Sequence, residues 1–182
     1  MSIMQKSKNF ENNAASFEPQ PRLRDAMRHL TGGVSVITAG VGDTRTGLTV
    51  TTAYSLSTEP PLMVISVNRN SSSYPVIRQH QHFCVNILSA EHRSVAEQFS
   101  GVGGIKGQAR YLGQSWSKLE SGALALDGAL ANIDCAVEEL IERHSHGLFL
   151  GRVLSVRLSE KPGPQLIYQH GNYGAYYAQV IA

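Results

Sequence analysis

Neutral hydroxyls crowd residues 49–58. Thr49, Thr51, Thr52, Tyr54, Ser55, Ser57 and Thr58 stand together, and no charged side chain falls between Arg45 and Glu59. Hydroxyls and backbone amides in such density suit a ligand whose polar edges surround an apolar ring. Threonine is also an ordinary strand residue, so composition leaves both readings open. A second cluster is "NRNSSSYP", where Arg69, Ser71, Ser72 and Ser73 follow a strand end. One guanidinium, three serine hydroxyls and free backbone N–H groups could hold a phosphate; the alternative is a plain polar loop. A third is "HSHGLFLG". His144 and His146 have ligand-type imidazoles, but no Cys, Asp or Glu cluster completes a metal set, so no metal site is expected. They read as surface residues, or as an imidazole beside a reacting ring. The aromatics of "GNYGAYY", Tyr173 among them, either close a core or stack on a ring.

A flavin is a ligand of the kind the first cluster suits: its pyrimidine edge donates and accepts, and its ribityl chain is all hydroxyls. Nucleotide fingerprints are missing. There is no Walker-type phosphate loop, and "GVGGIKG" carries Lys106 where a dinucleotide fingerprint requires its third glycine. No serine sits in a nucleophile elbow, so nothing demands a covalent intermediate.

These residues need strands to hold them. "VSVITAG" reads as a strand, "GVGDTRTG" as turn chemistry, and "PLMVISVN" as a strand covered on both faces. "YPVIRQH" suits a short helix and "HFCVNILS" a strand. Ser89 is placed to N-cap a helix over "AEHRSVAEQFS", whose apolar face is Val95, Ala96 and Phe99. Upstream, Leu23, Ala26, Met27 and Leu30 follow helical spacing, with Gly32-Gly33 as the stop. The glycine-rich stretch 101–122 is expected to be a mobile loop. "LANIDCAVEELIE" and "GLFLGRVLSVRLS" alternate as strands do, and "QLIYQHGNYGAYY" closes the chain. Roughly six or seven strands with two or three short helices, not alternating one for one, predict a mainly β fold: a small antiparallel barrel with peripheral helices.

The 182 residues suffice for one domain, over 22–182, behind a polar, Asn-rich tail at 1–21. A formal charge of +2 with 16% charged residues offers no basic face for nucleic acid. No apolar run reaches the about 20 residues of a spanning helix, no signal peptide is recognisable, and Cys84 and Cys135 sit in apolar stretches. The expectation is a cytoplasmic protein with two buried free thiols and no membrane partner.

In this order, "RHLTGGVSVITA", "GLTVTTAYSLSTEPPLMVISV", "HFCVNILSAEHRSVAEQFSG", "LDGALANIDCAVEE", "HGLFLGRV" and "LIYQHGNYG" resemble the flavin reductase family, the reductase components of two-component flavin monooxygenases, over about residues 23–177. The resemblance implies a split β-barrel with Greek-key-like antiparallel strands, usually a homodimer. It implies hydride transfer from NADH or NADPH to FMN or FAD, and diffusion of the reduced flavin to a separate monooxygenase. Carried over by position, Thr49, Val50, Thr51, Thr52 and Ser55 would line the ring and ribityl chain, and Ser66, Val67 and Asn68 would border the ring. Ser71 and Ser73 would sit near the phosphate, with Asn86 and Phe99 nearby. His146 would lie on the nicotinamide side and Tyr173 at the aromatic end of the pocket. Two departures stand out. Many relatives carry Gly-Asp-His where this chain has His144-Ser145-His146, and Arg-Gly where it has His170-Gly171. Rival readings are an FMN-binding split-barrel oxidase of another kind and a flavin-binding module without turnover.

Overall fold

The computed structural model describes residues 22–161 and 163–178; the tail predicted for residues 1–21 lies outside them. In chain order the elements are α1 (Leu23–Met27), β1 (Gly32–Gly33), β2 (Ser35–Ala39), β3 (Thr46–Val50), β4 (Ala53–Thr58), β5 (Pro61–Asn68), α2 (Ser73–His80) and β6 (His82–Ile87). There follow α3 (Arg93–Phe99), β7 (Trp116–Lys118), β8 (Leu124–Leu126), β9 (Ala131–Arg143), β10 (His146–Leu158), β11 (Gln165–Gln169) and β12 (Asn172–Tyr176).

Seven strands form one antiparallel sheet in the order β3-β2-β6-β9-β10-β5-β4. Its two end strands, β3 and β4, are joined by Thr51 and Thr52 alone. A flat sheet would hold them roughly 29 Å apart, six strand spacings. The three residue steps from Val50 to Ala53 reach at most about 11 Å. The sheet must therefore curl until its ends meet, which gives a split barrel. Thr52, just before β4, continues the β4–β5 ladder: Ser66 N donates to Thr52 O at 3.3 Å, and Thr52 Oγ1 donates to Ser66 O at 3.2 Å.

The barrel interior is filled by Ile37, Ile65, Val67, Ile77, Phe83 and Phe149, all fully buried. A second core packs Val34, Leu88, Val95, Phe99, Tyr111, Leu126 and Leu166 between the barrel, α3 and β11. Gly47 permits the contact between the two cores. A Cβ there would lie 2.4 Å from Ile37 O and 2.6 Å from Phe99 Cε1, so the Phe99 ring rests directly on β3.

Three local expectations change. Gly32 and Gly33 do not stop a helix; they pair with Tyr168 and Ile167 of β11 as strand β1. Ser89 does not N-cap α3 with its hydroxyl, which instead meets His92 Nδ1 at 2.9 Å, one 3-10 turn before the helix. The 101–122 stretch is anchored rather than loose. Tyr111 OH donates to Thr46 O at 2.6 Å, Trp116 Nε1 to Tyr111 O at 3.0 Å, and Arg110 Nη1 to Gly47 O. β7 then pairs with β8. Aromatic side chains supply what glycine content concealed: Tyr111 packs edge to face on Phe99 and on Trp116, and Phe99 meets Trp116 at a tilt, with centroids 4.9–5.6 Å apart.

Both cysteines are free and buried. Burial pushes the Cys135 thiol up to about 12 and raises Cys84 further in the same direction, so neither forms a thiolate near neutrality.

Candidate active site

A cleft of about 620 Å³ opens where the seam, α3 and the β11–β12 hairpin meet. That volume is in the range of pockets that enclose a drug-sized ligand. One wall is the end of β3, with Thr49, Val50 and Thr51. The facing wall is the hairpin, with Tyr168, Gly171, Asn172 and Tyr173, and α3 contributes Arg93 and Glu97, with Ser100 just past its end. Gly32 makes the approach of β1 possible, since a Cβ there would lie 2.7 Å from Thr51 Cβ.

The walls are fixed by specific contacts. Thr49 Oγ1 donates to Ala96 O at 2.6 Å, tying β3 to α3 and leaving the hydroxyl oxygen as an acceptor. Tyr173 packs edge to face on Tyr168, centroids 5.2 Å apart, and carries the Arg93 guanidinium 5.8 Å from its ring centroid. Burial raises the Tyr173 phenol above its ordinary value, Glu97 and Tyr168 add to this, and Arg93 opposes it. The phenol is therefore a neutral donor at any physiological pH.

A second, smaller recess of about 290 Å³ lies at the end of β5, lined by Arg69, Asn70, Tyr74, His144 and Ser145. Arg69 Nη1 donates to His144 O at 3.3 Å, and its Nε lies 3.7 Å from Glu142 Oε1. The Tyr74 hydroxyl donates to Glu142; that bond, with Arg69 beside it, holds the Glu142 carboxyl below its ordinary value. His146 opens β10 beside this recess. Its Nδ1 is 2.9 Å from Ser145 Oγ, so the group beside the imidazole is a neutral hydroxyl.

Strand register explains which predicted residues converge. Thr49, Val50, Thr51 and Tyr173 line the cleft. Thr52 and Ser66 are bonded to each other at the end of the β4–β5 ladder. Asn68 pairs with His146, and Ser66 with Leu148. Alternation puts Ser66, Asn68 and His146 on one face. Asn68 also accepts from Asn70 N at 2.9 Å, and Ser71 Oγ accepts from Ser73 N at 3.2 Å, which shapes the turn after β5.

The other expected positions do not line the cleft. Val67, between Ser66 and Asn68, faces the opposite way and is fully buried in the barrel. Ser73 is also fully buried; its hydroxyl donates to Gly47 O at 2.8 Å and meets Thr46 Oγ1 at 3.3 Å. Asn86 lies in the core with its amide committed to Val36, Leu126 and Asn132. Phe99 supports the cleft from behind and does not line it. Ser55 is exposed on β4, its hydroxyl turned to Ser57 O at 3.2 Å.

Sequence reading passed over Arg93, Glu97 and Ser100. The signal was there: spaced i, i+4, i+7, they form the polar face of the helix whose apolar face was read. Among the described residues, no three His, Cys, Asp or Glu side chains converge as metal ligands would.

The chain matches the family described as Flavin reductase like domain over residues 27–177. It is 34% identical over 155 residues to the 4-hydroxyphenylacetate 3-monooxygenase reductase component of Pseudomonas aeruginosa, covering 85% of this chain and 91% of that protein. It is 32% identical over 158 residues to FMN reductase (NADH) RutF 2 of Rhizobium rhizogenes, covering 87% and 90%. Its fold is similar to that of the Streptomyces globisporus NADH:FAD oxidoreductase SgcE6, whose structure holds NAD and FAD fragments. The TM-score there is 0.78 at 26% identity, covering 88% of this chain and 93% of that one. A hydroxyl wall on a split-barrel seam, an aromatic wall facing it and a family match across the described domain lead to one conclusion: this chain belongs to the flavin reductase family.

Proposed function

We propose that this protein is an NAD(P)H-dependent flavin reductase whose cleft receives the ring of FMN or FAD and which supplies reduced flavin to a separate monooxygenase. The observation that carries this reading is the chemistry of the cleft: neutral hydroxyls on one wall, Tyr173 on the other, and its one lining cation already paired with its one lining anion among the described residues. Hydride passing from a nicotinamide ring to a flavin ring needs no protein acid or base in that step, because the two bound groups supply the chemistry. The chain's share is to bind, stack and orient. The β3 end presents Thr49 and Thr51 with the backbone of Val50, and the Tyr173 ring offers a stacking face. Neutral contacts of this type also let a reduced product leave. The names of the relatives, a monooxygenase reductase component and an NADH-dependent FMN reductase, support the same donor and the same fate.

The test is to cross NADH and NADPH with FMN, FAD and riboflavin and follow nucleotide oxidation. Oxidation that depends on added flavin is expected; none with any pair would sink the reading.

We assign His146, which shares a face with Asn68 and Ser66, to the nicotinamide side. His146→Ala is expected to raise the KM for NADH about tenfold, the worth of one good hydrogen bond to a charged or polar group, with flavin affinity kept. Wild-type NADH kinetics in that variant would remove His146 from the site.

A homodimer is also proposed. Beyond Arg152, β10 pairs only with β9 among the described residues, and this half-free stretch exposes Val156 by 57% and Leu158 by 71%. β4, the end strand of the sheet, exposes Tyr54 and Leu56. Apolar side chains along free strand edges suit a second copy of the chain. Light scattering on the eluting protein should give twice the single-chain mass; a monomer at micromolar concentration would contradict it.

A further inference from the structure

Arg93 is the cation of the cleft, and its surroundings aim it. Its Nε donates to Glu97 Oε1 at 2.9 Å, one helical turn along α3, and its guanidinium lies 5.8 Å from the Tyr173 ring centroid. Carboxylate and ring flank a side chain that is 64% exposed. A guanidinium has five N–H donors. Only the Nε donor has a hydrogen-bond partner among the described residues, so the donors on Nη1 and Nη2 are free at the wall of the cleft. Two parallel donors in the plane of a guanidinium match two oxygens of a phosphate.

The other candidate has less to offer. Arg69, beside the serine-rich turn, spends Nη1 on His144 O and faces Glu142 with Nε. In that turn Ser73 is buried and Ser71 accepts from the backbone. We propose that Arg93 is the phosphate-binding residue of the cleft, taking a phosphate ester borne either by the flavin or by the nicotinamide nucleotide. The identity of the bearer rests on the reductase reading; the site itself rests on the geometry. Glu97 has two opposed effects. It orients the guanidinium, and it cancels the charge, so the phosphate is held by directed hydrogen bonds and not by a net positive field. That is a weak grip, suited to ligands that must exchange at every turnover.

Calorimetric titration separates the possibilities. Each of two ligand pairs differs by a single phosphate: FMN against riboflavin, and nicotinamide mononucleotide against nicotinamide riboside. Arg93→Gln should weaken the phosphorylated member of one pair about tenfold or more, the worth of a charge-assisted contact, and change its unphosphorylated partner far less. The pair that responds names the bearer. Glu97→Gln should act in the opposite direction and tighten that same phosphorylated ligand several-fold. If Arg93→Gln weakens both members of each pair equally, or neither, the proposal is wrong. It is equally wrong if Glu97→Gln weakens binding as Arg93→Gln does, because the pair would then be only a structural ion pair. A wild-type protein that oxidises no NADH would overturn the reductase reading and leave these titrations to decide the phosphate site.

Discussion

Asn86→Ala lowers the free energy of unfolding by about 3 kcal/mol or more and the melting temperature by roughly ten degrees. The side chain is fully buried and joins four elements. Its Nδ2 donates to Val36 O of β2 at 2.9 Å; its Oδ1 accepts from Leu126 N of β8 at 2.7 Å and from Asn132 Nδ2 of β9 at 2.8 Å. Truncation strands the Leu126 N–H away from water, and each orphaned buried group costs about 1–3 kcal/mol. Asn132 keeps a bond to Leu126 O and accepts from Arg157, so its loss is smaller. Thermal and urea denaturation read this directly. The alternative role suggested by position in the sequence, contact with the flavin, predicts the reverse pattern: weaker flavin binding at unchanged melting temperature. That pattern would return Asn86 to the site.

Gly47→Ala damages both stability and the cleft. The added methyl would lie 2.4 Å from Ile37 O and 2.6 Å from Phe99 Cε1. Ile37 is on β2, paired with β3 on one side and β6 on the other, so its carbonyl cannot yield without opening the sheet. Phe99 can shift only by moving α3, which carries Arg93 and Glu97 into the cleft. Overpacking of this kind costs about 1–3 kcal/mol and at times more; the immovable carbonyl places this case at the upper end. Flavin affinity falls with it, because Thr49 and Ala96 no longer keep their spacing. Trimming Phe99 to Leu in the same chain recovers little, since the carbonyl is the nearer obstacle. A variant that melts like wild type would show that β2 and β3 separate at no cost, contrary to this packing.

Much of this architecture was legible because it is written in local patterns. Alternation marks β9 and β10, and the apolar run of "LMVISV" marks β5. Lys106 rules out the dinucleotide fingerprint on sight. The hydroxyl-rich stretch is where the cleft wall and the seam lie. What was illegible depends on residues far apart in the chain. Nothing local says that β3 and β4, two residues apart, are opposite ends of one sheet; only closure of the barrel makes them so. Ser66, Val67 and Asn68 were taken together, yet alternation sends the middle one inward. Ser73 and Asn86 have side chains typical of ligand contacts, and their partners, Gly47 and Leu126, are 26 and 40 residues away. The stretch 101–122 was read from its glycines, while Tyr111 and Trp116 decide its fate by packing on Phe99. Arg93 and Glu97 carry no local signal of a site, because only the fold brings Tyr173 to the Arg93 guanidinium.

The central claim is that the protein turns flavin over and does not merely hold it. Under anaerobic conditions, a trace of protein mixed with NADH and a large molar excess of FMN should bleach the visible absorbance of oxidised flavin completely, many equivalents per chain, one NADH consumed for each FMN reduced. Bleaching that stops at one equivalent per chain, or none at all, would contradict it.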